Sequence, residues 1–312
     1  MINQPLSLRK VRDFGERIGD TIQFIKFNWV KLLGLYTVFV IPFLLAGIIL
    51  GANSIADFMT TFSGGLSTMT GATGLKIMFA ALMFMFSGAS YTSVIYLYMD
   101  HYEKNNGAAP SIQEIFKRYP KAFLSNIGYS LLVVAMLIPV VIILALGMFG
   151  MKSQSSLLLL LIPFFISLGL FFFVFMLMVY PVNILSHGGF GSAIPATFNL
   201  LKGRWWFSIG YFIILFIIYY FFSMAISTML NILFGLPAIN MMDPEKVSGM
   251  GGSYAYIFGL TTLIQQVFYL VIFVGSGIHY YSIHEEKMGS GLEKKIDNIG
   301  EAGIREKGAE EY

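Results

Sequence analysis

The stretch Ile18-Gly-Asp-Thr-Ile22-Gln-Phe-Ile25-Lys-Phe-Asn-Trp29 carries large apolar residues at i, i+4, i+7 and i+11. That spacing is one stripe of an α-helix, and Asp20, Gln23 and Lys26 lie off it. The segment runs directly into 30–50, which is apolar apart from Lys31 near its start. The pattern recurs. Shifted without gaps by 94 and by 176 residues, Ile18 falls on Ile112 and Ile194, Ile22 on Phe116 and Phe198, and Ile25 on Tyr119 and Leu201. Trp29 falls on Phe123 and Trp205, and Gly34 on Gly128 and Gly210. A stripe followed by an apolar run, three times over, predicts three tandem units. Each unit is a short amphipathic helix followed by two membrane-crossing helices.

Composition points the same way. Of 312 residues, 56% are hydrophobic and 12% are charged, against about 25% charged in an ordinary soluble domain. The mean hydropathy is +0.73. No Asp, Glu, Lys or Arg falls between Lys31 and Asp57, Lys76 and Asp100, Lys121 and Lys152, Lys152 and Lys202, Arg204 and Asp243, or Lys246 and Glu285. Each gap can hold the roughly 20 apolar residues that cross a bilayer. The predicted spans are 30–50, 77–99, 127–150, 157–180, 206–234 and 259–283. The fold class expected is therefore all-α: a polytopic membrane protein with six transmembrane helices in one domain, 1–284. Its units are about 18–100, 111–181 and 192–284, and a charged tail, 285–312, follows.

Six spans put both termini on one side, and basic residues decide which. Seventeen of the 20 Lys and Arg fall in the N-terminal segment, the 100–126 and 181–205 connections and the tail, leaving only Lys76, Lys152 and Lys246 opposite. The positive-inside rule then predicts cytoplasmic N- and C-termini. The basic side should meet anionic headgroups of membrane lipids rather than nucleic acid, because its charges sit close to the spans and the tail is mixed in sign. With no cysteine, disulfides and thiolate chemistry are excluded. The first 29 residues are too polar for a signal peptide, so the first span is expected to serve as an uncleaved targeting signal.

Local signals refine the units. Residues 1–20 read as a polar lead-in, and the segment after it should lie in the interface and then turn into the first span. Ser111 followed by Glu114 is a capping box, and Pro120 should kink or end that helix. Ser192 is the expected N-cap of the third amphipathic helix. The connections 51–74 and 235–256 are rich in Gly, Ser and Thr or Gly and Met and read as irregular. The tail reads either as a short helix near 292–299 or as disordered chain. Tyr98-x-x-His101-x-Glu103-Lys104 matches Tyr281-x-x-His284-x-Glu286-Lys287 at the ends of two second helices.

One segment, Pro181-Val-Asn-Ile-Leu-Ser-His-Gly-Gly-Phe-Gly-Ser-Ala-Ile-Pro-Ala-Thr-Phe-Asn-Leu-Leu-Lys-Gly-Arg-Trp-Trp-Phe-Ser-Ile-Gly-Tyr211, resembles the membrane domain associated with glycerophosphoryl diester phosphodiesterases and related bacterial six-span families of unknown function. The matching positions are Pro181, Gly189, Ala193, Leu200, Lys202, Gly203 and Trp206. Ser186 and His187 stand where that pattern often has an acidic residue, and Ala196-Thr197 where it often has Arg-Ser. The resemblance implies the same architecture in a bacterial inner membrane. Some of those proteins carry a soluble phosphodiesterase domain after the membrane part. Here the chain ends soon after the sixth span, so hydrolase activity is not expected.

No Walker, Rossmann, zincin or serine-triad pattern occurs, and no cofactor is expected. No acidic or basic residue falls deep within a predicted span, which argues against carboxylate-coupled transport. His101, His187, His279 and His284 fall near the basic side without metal-ligand spacing, and they read as helix-end residues. Lys26, Trp29, Arg118, Lys202, Arg204, Trp205 and Trp206 are candidates for contact with lipid headgroups or a partner; the plainer reading is topology-setting charge and aromatic anchoring. Ser90, Gln265, Gln266 and Ser276 are candidates for a polar cavity; the plainer reading is interhelical hydrogen bonding and close packing at Ser87-Gly-Ala-Ser90 and Gly275-Ser-Gly277. Two functions follow. The first is a non-enzymatic scaffold or assembly partner, engaging anionic lipid, another protein or a second copy of itself. The alternative is a lipid-handling or small-solute transport protein with a path between the repeats.

Overall fold

A computed structural model describes residues 6–51, 71–151, 157–233 and 251–289, with the side chains of 73, 133, 136–151, 157–166, 231 and 251–258 outside that description. All regular structure among the described residues is helical. The helices are α1 (Phe14–Gly51), α2 (Gly71–Lys104), α3 (Ile112–Met151), α4 (Leu157–Leu185), α5 (Ala193–Leu201), α6 (Trp205–Leu233), α7 (Gly251–Val267) and α8 (Tyr269–Met288). Five stretches, Phe14–Gly51, Gly74–Lys104, Ser167–Leu185, Trp205–Leu230 and Gly259–Met288, are long and apolar enough to cross a membrane. The chain is thus a multi-pass membrane protein, helical throughout the regular structure of its described residues. The apolar half of α3, where a further span is predicted, lies outside the described side chains. So do most of the connections at 51–74 and 235–256, and the tail beyond 289.

The packing order is cyclic. Helices α2, α4 and α8 contact one another pairwise. Helix α1 contacts α8 from its Phe14–Leu35 part and α2 at Tyr36–Val40; α3 contacts α2 and α4; α6 contacts α4 and α8. The first helix of each predicted unit therefore lies against its own second helix and that of the preceding unit.

The core sits toward one end. Every residue of α2 from 89 to 100 is buried, as are 181–185 of α4 and 274–283 of α8, whereas in α2 before Ser87 only Ala80 is buried among the described side chains. At this end Arg9 pairs with Glu103 (3.3 Å). The Arg12 amide donates to Ser282 Oγ (3.1 Å), and Lys287 Nζ donates to the Asn199 carbonyl (2.6 Å). These contacts gather the N-terminal segment, the end of α2, α5 and the end of α8 into one basic end.

The structure bears on three local expectations. The amphipathic segments of the first two units do not lie apart from their spans. Helix α1 continues for 38 residues through a π-helical turn at Tyr36–Val40, and α3 for 40 residues, about 60 Å each. Pro120 falls within α3 without ending it. Only in the third unit is the short helix separate. There α5 ends at Lys202, Gly203 takes a positive φ of 80°, and Lys287 Nζ takes up the Asn199 and Lys202 carbonyls. Ser192 occupies the N-cap position of α5, but its hydroxyl donates to the Gly189 carbonyl (2.8 Å) instead of capping.

The lead-in is also structured. Leu8 is fully buried, and the Arg12 guanidinium binds Asp20 (2.6 Å) and the Leu8 carbonyl (2.7 Å). Asp13 and Glu16 form a reciprocal capping box at the start of α1. The expected box at Ser111 forms too. Hydrogen bonds from the Ser111 amide and hydroxyl hold the Glu114 carboxyl below its ordinary range.

On α1 the buried stripe is Arg17, Thr21, Phe24, Asn28, Leu32 and Leu35. The apolar stripe noted in the sequence lies beside it, with Ile22 and Trp29 exposed. A helix facing lipid turns apolar side chains outward and keeps polar ones against its neighbours.

Candidate functional site

Two polar clusters and one groove stand out at the basic end. The first cluster centres on Arg17, whose side chain is buried. Its Nη1 donates to His279 Nδ1 (2.8 Å), its Nε to the Arg12 carbonyl (3.2 Å), and its guanidinium lies 4.5 Å from the Phe207 ring centroid. Arginine cannot accept, so His279 Nδ1 must be the acceptor. Its Nε2–H then donates to Ser208 Oγ (2.8 Å). The Tyr211 hydroxyl donates to the Gly275 carbonyl (3.0 Å) and meets Thr21 Oγ1 at 3.2 Å. This cluster joins α1, α6 and α8. Glu286 adds a partly exposed bridge to Arg17 (3.9 Å) and Arg204.

The second cluster centres on the buried Asp100, at the end of α2. It accepts from Arg118 of α3 (2.6 Å) and Lys104 of α2 (3.1 Å), with His187 Nε2 at 3.2 Å from its other oxygen. His187 Nδ1 donates to the Leu185 carbonyl (2.9 Å), leaving Nε2 as the acceptor for Lys104 Nζ (2.7 Å). The carboxylate thus ties α2 to α3 directly, and Lys104, shared between Asp100 and His187, carries the tie to the turn after α4. Beneath it, Asn126 Nδ2 donates to Thr92 and Ser93 (both 3.0 Å), and Asn183 Nδ2 donates to Asn126 Oδ1 (3.0 Å).

The groove, about 700 Å³, opens between α3 and the end of α4. Its rim carries Lys117, Arg118, Lys121 and His187, and its apolar wall includes Leu97, Leu124, Ile184 and Phe190. The turn holding Phe190 is docked on α3. The Gly191 amide donates to the Tyr129 hydroxyl (2.9 Å), and Phe190 packs where a Cβ on Gly128 would stand.

The residues singled out from sequence separate into distinct places. Arg118 enters the Asp100 cluster and the groove. Lys26 and Trp29 lie exposed on α1. Lys202, Arg204 and Trp206 stand exposed around the α5–α6 turn, and Trp205 stacks on Phe171. Among the described residues, no contact brings these three groups together. Ser90 and Ser276 are fully buried. Ser90 Oγ donates to the Phe39 carbonyl (2.6 Å) and accepts from Tyr119 (2.9 Å); Ser276 Oγ meets Tyr96 (2.6 Å) and donates to the Phe273 carbonyl (2.9 Å). Gln265 and Gln266 are half-buried beside the break at Phe268. There the hydroxyls of Tyr36 and Tyr91 serve the carbonyls of Leu263 (2.8 Å) and Val267 (3.1 Å). Among the described residues, no three His, Asp or Glu side chains are grouped to hold a metal.

Sequence reading missed Asp100, Arg17 and His279 as centres. Asp100 read as a charge bounding a span, Arg17 as one of the basic residues of the N-terminal segment, and His279 as a helix-end residue. Comparison of the chain with known protein families, with curated proteins and with solved structures finds no match.

The small residues of α8 admit their neighbours closely. A Cβ on Gly277 would meet Met99 Sδ at 2.5 Å, and one on Gly275 the Tyr211 hydroxyl at 3.1 Å. Gly277→Leu is therefore expected to cost about 2 kcal/mol or more by overpacking the α2–α8 contact. Reversible unfolding in mixed micelles measures it; a midpoint equal to wild type would mean the contact is looser than the geometry states.

Proposed function

We propose that the chain is a non-enzymatic integral membrane protein that serves as a scaffold or assembly partner. Its six spans form three tandem units, each led by an amphipathic segment. Both termini lie in the cytoplasm, and the membrane is the bacterial inner membrane implied by the resemblance of 181–211. In this reading the basic end contacts anionic lipid and presents a surface to another protein or to a second copy.

The observation that carries the reading is the cyclic packing of α2, α4 and α8 around a filled centre. Ser90 and Ser276, where a conduit would need open polar surface, are buried and hydrogen-bonded. A second reading, lipid handling, is favoured by the groove between α3 and α4, which joins a basic rim to an apolar wall.

Gentle purification followed by mass spectrometry of bound proteins and lipids tests the choice. The scaffold reading expects a stoichiometric protein partner or a stable homo-oligomer that is lost when 285–312 are deleted. A monomer carrying lipid alone, with or without those residues, would replace it by lipid handling. The orientation is tested separately by single-cysteine labelling at 118 and 246, which should react from opposite sides.

A further inference from the structure

We propose that the groove between α3 and the α4–α5 turn is a binding site for one anionic glycerophospholipid. Lys117 and Lys121 engage the phosphate, and the acyl chains run over Leu124 and Phe190. Three observations converge. The first is charge. Arg118 and His187 are already engaged around Asp100, whereas no carboxylate lies within ion-pair distance of Lys117 or Lys121 among the described residues. Two exposed ammonium groups on successive turns of one helix can bracket a single phosphate.

The second is the wall. Leu124 and Phe190 are 67% and 65% exposed beside the rim, more apolar surface than a water-soluble anion would cover. A lipid covers both parts, its headgroup on the lysines and its chains on the aromatic and aliphatic wall. The third is depth. Lys121 lies six residues before the predicted span at 127, about 9 Å along the helix. That is the headgroup layer if this end is the membrane interface.

The inference rests on the membrane placement proposed above, but not on the scaffold role. The chain has no cysteine, so Lys117→Cys labelling from the two sides of the membrane tests that placement alone.

The binding test is native mass spectrometry of the full chain in detergent with equimolar dioleoyl-phosphatidylglycerol and dioleoyl-phosphatidylcholine. One phosphatidylglycerol per chain should be retained in preference to phosphatidylcholine. The pair Lys117→Glu and Lys121→Glu should lose about tenfold or more of that retention. The pair Lys117→Arg and Lys121→Arg should keep it. The pair Lys10→Glu and Lys31→Glu, an equal charge change at two exposed positions of the N-terminal segment, should stay within about twofold of wild type. Excess glycerol phosphate should not displace the lipid.

Equal retention of the two lipids overturns the site. So does equal loss in both glutamate pairs, which would mark a diffuse basic belt. Displacement by glycerol phosphate would mark a site for a free anion instead. Should the glutamate pair at 117 and 121 fail to fold, the Lys117→Gln and Lys121→Gln pair takes its place. Its retention should be intermediate, and unchanged retention counts against the site.

Discussion

Arg17→Ala is expected to destabilise the bundle by about 3–5 kcal/mol, because it strips a buried charge from partners that have no substitute. The guanidinium bonds His279 Nδ1 and the Arg12 carbonyl and lies over Phe207. Its removal leaves the His279 acceptor buried and unpaired, which alone costs about 1–3 kcal/mol. The aliphatic stem is lost from the α1–α8 contact as well. Arg17→Lys should recover only part of the loss, since one ammonium cannot reproduce the planar fork. A double-mutant cycle of Arg17→Ala with His279→Ala, read by reversible unfolding in mixed micelles, should give a coupling of about 1–3 kcal/mol. Strict additivity of the two changes would refute the direct bond. Ser208→Ala should lower stability less, because it removes an acceptor from a single imidazole N–H.

Much of the helical arrangement could be read from charge spacing, and much of the functional chemistry could not. Uncharged stretches flanked by Lys, Arg, Asp and Glu mark helices because lipid penalises charge without regard to fold. Five stretches long and apolar enough to cross a membrane overlap those intervals, although Phe14–Gly51 begins well before Lys31. The offsets that align Ile18, Ile112 and Ile194 mark helices α1, α3 and α5, but not which helix each one touches. The α1 stripe shows why side-chain facing was harder. Ile18, Ile22, Ile25 and Trp29 form a clear apolar face, and in water that face would be the buried one. Here the adjacent line of Arg17, Thr21, Phe24 and Asn28 is buried instead. Periodicity gives a direction on the helix and leaves its sign to the solvent.

Leu8 and Arg12 escaped notice for another reason. Isolated residues ahead of a helix carry no period, and their burial depends on Ser282, which lies 270 positions away. The groove is equally non-local. Gly128 and Phe190 meet only because the turn after α4 folds back onto α3. A glycine repeated at 34, 128 and 210 was visible, but not the ring that one of them admits.

Asp100→Asn should separate stability from lipid retention. The carboxylate is buried, with its side chain 4% exposed, and it holds Arg118 and Lys104, whose side chains are 42% and 51% exposed. Breaking a fully buried pair typically costs 3–5 kcal/mol; partial exposure of both cations lets water take up some of the loss, so about 2–4 kcal/mol is expected. Asparagine keeps the shape but offers one weaker acceptor to two cations, and its amide hydrogens oppose whichever donor they face. The junction of α2, α3 and the His187 turn should therefore loosen first, and a lower unfolding midpoint in mixed micelles is the direct readout. The same change removes the carboxylate that Arg118 and Lys104 share beside the groove. Well below the midpoint, phosphatidylglycerol retention should hold or rise, opposite to the effect of reversing Lys117 and Lys121. If stability and retention fell together in Asp100→Asn, the groove would depend on the junction's rigidity rather than on its charge. Were neither to move, Asp100 would not be the tie that its distances describe.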